Sequence, residues 1–356
     1  MPAATRPAST IVRYVSSRLG QSLLVLWAAY TVSFIVLYAL PSDPVALLAG
    51  GDASDIIPEQ LAELKAHYGL DQPLVVQYLL RLGGVLTGDF GSSIATGRPV
   101  AQVIGEAIPP TLQLAGLGFL FAVLTGAGLA VLATYVRSRA VSTLLLGLPP
   151  LGVAIPSFWF GLMLIQWFSF QLPLFPAMGD KSIASLVLPS ITLALPTGAM
   201  IAQLLSKSLA TSLREPYIDT AKAKGADRRR VHLRHALRNA ALPAITMTGL
   251  IVGQLLSGTV VTETVFSRPG IGRVTASAVQ QQDIPVVQGI VLFAAAAFVL
   301  ANLAVDLVYP LLDPRIQLTA APRRRRQAPA SPTVAPTAEA AEAPIPDIDA
   351  VLEDAR

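Results

Sequence analysis

The chain contains no cysteine, which excludes disulfides and thiolate metal sites. Its only histidines are His67, His232 and His235, and no run of clustered carboxylates accompanies them, so there is little scope for a metal centre. His232 and His235 stand three apart, on one helical face. The stretch around them is so rich in arginine that both read as solvated or interfacial side chains. A P-loop needs a Gly-Lys pair, so that backbone amides and a lysine cradle the phosphates. The chain has no Gly-Lys dipeptide and cannot bind ATP by that route. No catalytic constellation is visible. Charge is scarce as well, at 13% of residues against about a quarter in soluble proteins.

What is present is apolar. A content of 53% apolar residues and a mean hydropathy of +0.58 make lipid the solvent for most of the 356 residues. Continuous apolar runs cover residues 19–40, 111–136, 141–168, 186–205, 243–266 and 287–312. Each is long enough, at about 1.5 Å per residue, to cross a hydrocarbon core of about 30 Å. Only helices and closed barrels satisfy their backbone groups inside a bilayer, and uninterrupted runs are not the alternating pattern of barrel strands. The predicted fold class is an all-α integral membrane protein with six transmembrane helices. The first run, of 22 residues with no small-x-small cleavage site after it, reads as a span rather than a signal peptide.

A net charge of +4 invites nucleic acid as a partner, but its distribution points elsewhere. With the N-terminus placed in the cytoplasm, the segments on that side hold 20 of the 26 Lys and Arg residues and the opposite segments hold 6. This is the positive-inside pattern, with both termini cytoplasmic and no call for nucleic acid. The organisation expected is then a cytoplasmic N-terminus (1–18), a first transmembrane helix (19–40), an extracytoplasmic loop with short helices (41–110) and a five-helix core (111–313). Within that core residues 206–242 form a cytoplasmic loop, and 314–356 make a disordered tail rich in Arg, Pro and Ala.

In the first loop Pro58 opens a helix that Glu59 and Glu63 suit and Gly69 closes. Residues 74–86 predict a second helix, too short to span and carrying Arg81, hence interfacial. The `GDFGSS` after it reads as a turn. Pro149, Pro150, Pro156, Pro189 and Pro196 each remove a helical hydrogen bond and predict kinks or local unwinding. The small residues of `TGAGLA` in the second run predict close helix packing. The `RRRR` from Arg323 either binds anionic membrane lipid or simply ends the positive-inside signal. An ion-coupled carrier needs ionisable groups deep in the membrane; Glu263 and Asp306 are both near run ends, and no inverted repeat is visible.

The cytoplasmic stretch 206–242, `SKSLATSLREPYIDTAKAKGADRRRVHLRHALRNAAL`, is far longer than a connection needs and has helical composition on both sides of Gly225. It predicts helix, sharp turn at Gly225, helix. Its `DTAKAKG` resembles the EAA loop of ABC importer permeases, in the form found in the peptide and nickel branch. Asp219 and Thr220 stand where the general pattern has Glu and Ala. Leu242 and Pro243 come later than in that pattern, a spacing the branch shares. `YGLDQPLVVQYL`, `GDFGSSIATGRPV`, `RHALRNAALP`, `ETVFSRPGIGR` and `NLAVDLVYPLLDPR` fit the same branch, in order, from about residue 10 to Arg315.

The resemblance implies a type-I importer permease in the bacterial plasma (inner) membrane, not an enzyme, moving peptides by alternating access. The cargo implied is a dipeptide or oligopeptide, with nickel, glutathione or another small solute as alternatives. ATP and Mg would sit on partner subunits and no cofactor on this chain. The partners implied are a second homologous permease, two ATP-binding-cassette ATPase subunits and an extracytoplasmic substrate-binding protein. Carried onto this sequence, the ATPase-coupling residues are Glu215, Tyr217, Asp219, Thr220, Ala221, Ala223, Lys224, Gly225, Ala226 and Asp227. Glu263, Arg268, Gly270 and Arg273 are candidates for a gate at the outer mouth, the alternative being that Glu263 only caps or pairs at a helix end. An ion-coupled carrier and a membrane-embedded enzyme or assembly factor are the competing classes.

Overall fold

A computed structural model describes residues 8–39, 66, 71–180, 182–246 and 248–312. The helix expected from Pro58 to Gly69, apart from Ala66, and the tail from residue 314 lie outside the described residues. Those residues fold into helices joined by turns. They are α1 (Ala8–Ala39), α2 (Leu74–Thr87), α3 (Val100–Tyr135), α4 (Arg139–Ala154), α5 (Ser157–Leu164), α6 (Ala184–Ser212), α7 (Pro216–Ala223), α8 (Leu237–Thr246), α9 (Thr248–Val265), α10 (Ile271–Gln280) and α11 (Ile284–Leu312). Two π-helical stretches, Ile165–Gln171 after α5 and Val231–Ala236 before α8, are continuous with their neighbours.

Six spans are expected from the apolar runs. By length and composition the described helices give four, or five if one bent pair counts as a single span. That pair falls in the run 141–168, where α4 and the helix Ser157–Gln171 meet at 101°. The break has a local cause. Ile155 precedes a proline and is driven out of the α region to φ −71°, ψ 123°, so α4 ends there and Pro156 caps the next helix. The other prolines expected to kink do not break the chain: α4 runs through Pro149 and Pro150, and α6 through Pro189 and Pro196. In the run 243–266, α9 turns Thr259, Thr262 and Glu263 to the protein interior, where they are buried. An enclosed polar face of this kind lowers a helix's apolar content without exposing charge to lipid.

The centre of the fold is the pair α3 and α6, the most extensive helix contact among the described residues. An added Cβ on Gly126 would lie 2.4 Å from the Gly198 carbonyl oxygen and 2.9 Å from Ile201 Cβ, so only glycine lets the two backbones come this close. Leu114, Ala122, Leu193, Ala194, Ile201, Ile251 and Leu255 pack around this contact. Towards one end, Ala130, Leu205, Leu209, Ile218, Val231, Ala236 and Ala240 form a second cluster beneath α7. Towards the other, Val100, Ile104 and Ala107 of α3 pack on Ile271, Ala278, Val286 and Ile290.

Helix α1 packs along α11. Its Tyr30, Phe34 and Tyr38 are four apart and share one face. Tyr78 of α2 inserts there, 5.5 Å from Tyr30 and edge-on to Phe34 at 5.3 Å, while Arg81 lies 4.9 Å over the Tyr38 ring. The outer surface is apolar: Leu23, Leu24 and Trp27 on α1, Leu144 and Leu151 on α4, and Trp159 and Trp167 beyond the break are all exposed. Such a surface matches a lipid surround.

The close contact yields a paired prediction. Gly126→Val forces α3 and α6 apart and should destabilise the detergent-purified protein by about 1 to 3 kcal/mol. Gly128→Val, where a Cβ meets nothing within 4 Å, should leave the thermal midpoint near wild type. Equal midpoints for the two variants would show that the contact is not tight.

Candidate functional site

At the end of α6 the chain turns at Leu213 and Arg214 and enters α7 with Pro216 at its start, where the missing N–H costs nothing. Asp219 in the first turn and Lys222 in the last suit the helix dipole, and the two side chains meet at 3.0 Å. Ile218, only 1% exposed, packs into the cluster of Leu205, Leu209 and Val231 with Tyr217 tucked against it, and Ala221 is buried on the same helix. The turn falls at Gly225, as its place in the sequence predicts. Ala226 N–H bonds the Ala221 carbonyl (3.1 Å) and Gly225 N–H the Lys222 carbonyl (2.9 Å), the two bonds of a Schellman motif. That motif needs a left-handed residue, and Gly225 supplies φ +81°. Asp227 then caps the second arm, its Oδ1 accepting from Arg230 N–H at 3.0 Å.

The second arm opens with an α-helical turn, Arg228–Arg230, and continues as a π-helix in which Val231 and Ala236, five apart, are both buried with His232. Here the structure corrects the sequence reading. His232 is neither solvated nor interfacial but 7% exposed, its ring edge-on to Tyr135 at 5.2 Å and its Nε2 facing the Thr134 carbonyl at 3.2 Å. Arg228 donates from Nη2 to the Tyr135 carbonyl and lies 5.0 Å over the Tyr135 ring. Among the described residues no cluster of three or more His, Asp or Glu side chains is arranged to hold a metal.

At the opposite end of the helices, the segment 263–273 is built on a buried carboxylate. Glu263, 1% exposed, receives Thr111 Oγ1 at 2.7 Å on Oε1, and Gly272 N–H at 2.7 Å and Arg273 N–H at 3.2 Å on Oε2. Those amides belong to the first turn of α10, where N–H groups lack helical partners and a negative charge is favoured. The glycines of `RPGIGR` make this possible. A Cβ on Gly270 would lie about 2.1 Å from the Glu263 carboxylate, and one on Gly272 would lie 2.4 Å from the α9 backbone at Val260. Arg268 is buried too, donating from Nη1 to the Gly179 carbonyl (2.9 Å) and to the Ser185 carbonyl (3.3 Å). Burial lowers its pKa from the ordinary value, while the charges of Asp180 and Glu263 act in the opposite sense. Arg273 is exposed, with Nη1 on the Ser267 carbonyl at 2.8 Å.

Of the ten residues carried over to the hairpin, Glu215, Asp219, Thr220, Ala223, Lys224, Gly225 and Asp227 are exposed together on its outer side. Tyr217 and Ala226 are half-buried, and Ala221 faces the core. Glu263, Arg268, Gly270 and Arg273 gather at the other end. The structure adds residues that the sequence does not single out: Thr111, Tyr135, Arg228, and Asp283, whose carboxylate receives Ser93 Oγ, Ile94 N–H (3.1 Å) and Ala95 N–H (3.4 Å). Asp283 had a local signal, an acidic residue just before an apolar run with Pro285 near its start. The others had none, because their partners are far away in the chain.

Residues 118–318 match the family described as binding-protein-dependent transport system inner membrane component, and residues 11–115 match its N-terminal counterpart. The chain is 37% identical over 307 residues to the glutathione transport system permease protein GsiC of Salmonella typhimurium, covering 86% of this chain and 99% of that protein. It is 35% identical over 312 residues to the probable peptide ABC transporter permease protein y4tP of Sinorhizobium fredii, covering 85% and 99%. Among solved structures, an inward-facing MetNI methionine ABC transporter chain aligns with TM-score 0.49 and 14% identity, over 60% of this chain and 97% of that one. With matches to both family segments and such relatives over their whole length, the chain belongs to the binding-protein-dependent transport system inner membrane components, as a multi-pass ABC importer permease of the peptide and nickel branch.

Proposed function

We propose that this chain forms, with a second and related permease, the membrane path of an importer for peptides, and that residues 215–227 are its docking element for the ATPase subunits. The observation that carries the reading is the hairpin itself. Its inner face is fixed in the core by Ile218 on the first arm and Val231 on the second, its turn is set by Gly225, and its outer side is a compact exposed surface. A solvated connector has no need of a buried anchor on each arm. The names of the relatives support peptide cargo, one a peptide permease and the other a permease for glutathione, itself a short peptide. The GsiC likeness favours glutathione as the second reading of the cargo. An ion-coupled carrier is less well supported, since the oxygens of Glu263 are taken by Thr111 and the α10 amides.

The topology that goes with this reading has six spans, both termini in the cytoplasm with the hairpin, and residues 41–110 outside. Because the chain has no cysteine, single cysteines can be placed at will. An impermeant maleimide added to intact cells should label a cysteine at Asp55 and spare one at Asp227. The reverse pattern overturns the topology.

The docking role predicts that Gly225→Val inserts and folds, because no atom lies within 4 Å of the added Cβ and only the +81° backbone is penalised, by about 1 to 2 kcal/mol. It should nevertheless lose ATPase binding or the part of ATP hydrolysis stimulated by loaded binding protein. Ala223→Glu, on the exposed side, should do the same. Copurification and hydrolysis in the reconstituted complex decide the matter: wild-type behaviour of both variants would reduce the hairpin to a connector.

Glu263, Arg268, Gly270 and Arg273 would form part of the gate at the outer mouth. Replacing the charged acceptor, Glu263→Gln, weakens its bonds to α10 by about 1 to 2 kcal/mol. It should lower both the thermal midpoint and uptake at limiting peptide. A lowered midpoint with unchanged uptake would leave Glu263 as a helix cap alone.

A further inference from the structure

The two arms of the hairpin are attached to the membrane helices in different ways. The first arm continues from α6 through the chain itself. The second arm, which runs on into α8, also grips the C-terminal end of α3. The last carbonyls of an α-helix have no donors of their own. On α3 the Thr134 carbonyl is met by His232 Nε2 at 3.2 Å and the Tyr135 carbonyl by Arg228 Nη2. Arg228 also stacks 5.0 Å over the Tyr135 ring, placing a cation at the negative end of the helix dipole. These side chains follow directly on the Asp227 cap. The second arm therefore cannot shift without moving the end of α3 or breaking this grip.

Helix α3 runs unbroken for 36 residues, about 54 Å. About a third of the way along from its other end, just beyond Pro109 and Pro110, Thr111 is fully buried and holds a second grip. Its hydroxyl donates to Glu263 Oε1 at 2.7 Å and accepts Ile271 N–H at 2.8 Å, which ties α3 to the end of α9 and the start of α10. The stretch of α3 between the two grips, about 36 Å of unbroken helix locked to α6 at Gly126, has the form of a strut.

We infer that α3 transmits displacement of the hairpin to α10, with Arg228 and His232 as the positioning residues at one end and Thr111 as the positioning residue at the other. The inference rests on the docking role proposed for the hairpin, since that role supplies the displacement. Packed elements of this kind carry coupling only if they have two arrangements, so the test must read movement at the far end.

The protein to use is the assembled transporter, with its partner permease and ATPases, in which this chain carries one reporter cysteine. Ala223→Cys reports on the exposed hairpin and Gln280→Cys on the exposed end of α10. The measurement is the rate of maleimide labelling with and without ATP and vanadate, which trap the ATPases closed. With the grips intact both reporters should respond, the α10 reporter by about fivefold or more, the low end of ordinary allosteric coupling. Arg228→Gln and Thr111→Val should each abolish the Gln280→Cys response while the Ala223→Cys response persists. Combining the two should do no more than either, because a strut cut at one end is already cut. Thr111→Ser, which keeps the hydroxyl, should restore the response. Thr111→Val replaces the hydroxyl with a methyl of similar size and should leave unstimulated ATP hydrolysis at the wild-type rate. If it does not assemble, Thr111→Ala takes its place in the same comparison. A Gln280→Cys response that persists at full size in both single variants overturns the strut, as does a silent Gln280→Cys beside a responding Ala223→Cys. Silence at Ala223→Cys itself would instead count against the docking role of the hairpin.

Discussion

Helices α3 and α6 lie closer together than side chains ordinarily permit, and the arrangement of the other helices depends on that approach. Gly126 and Gly198 face one another with no room for a Cβ, so the two backbones form a narrow spine. In lipid there is little hydrophobic gain from pressing one apolar helix on another, and close van der Waals packing between small residues has to supply it instead. Around the spine the described helices pack into clusters at the glycine contact, beneath the hairpin, under α10 and around Ile165, Leu188 and Phe266. The hairpin cluster draws Leu205 and Leu209 from α6 and Ala130 from α3, so the spine also provides the floor on which Ile218 and Val231 rest.

A membrane helix satisfies its own backbone along its length but not at its ends. In this chain several backbone groups outside the regular helical bonds obtain partners from ionisable side chains of other elements. Glu263 serves the first turn of α10, Asp283 serves the loop at Ser93 to Ala95, and Arg228 serves the last carbonyl of α3. Each charge is matched by backbone dipoles and hydroxyls. Buried charges of this sort are costly to strand, which makes the joints specific: shifting α10 against α9 by a turn would leave the Glu263 carboxylate without its amides. The same physics explains the glycines of `RPGIGR`, since a helix start can reach a carboxylate on the preceding helix only where no side chain intervenes.

The membrane setting, the all-helical class and the hairpin turn are legible in the sequence, because each is written in local terms. Apolar runs of spanning length, and helical composition on both sides of Gly225, need no knowledge of the rest of the chain. The run 141–168 shows where local reading stops. Its composition is that of a single span and Pro156 predicts a kink within it, but the 101° between the two helices is an angle that hydropathy does not contain. His232 shows the same limit from the other side, because an arginine-rich neighbourhood says nothing of the Tyr135 ring that covers it.

The sequence by itself therefore determined what each segment is: apolar helices for lipid, a basic hairpin turned at a glycine, and a permease signature spread along the chain. Only the tertiary structure decided which ends meet. Thr111 lies 152 residues from Glu263, Arg228 lies 93 from the Tyr135 carbonyl, and Ser93 lies 190 from Asp283. Periodicity and capping rules act over a few residues, whereas these joints exist because α3 and α6, held at Gly126 and Gly198, bring the remote ends of other helices within hydrogen-bonding distance.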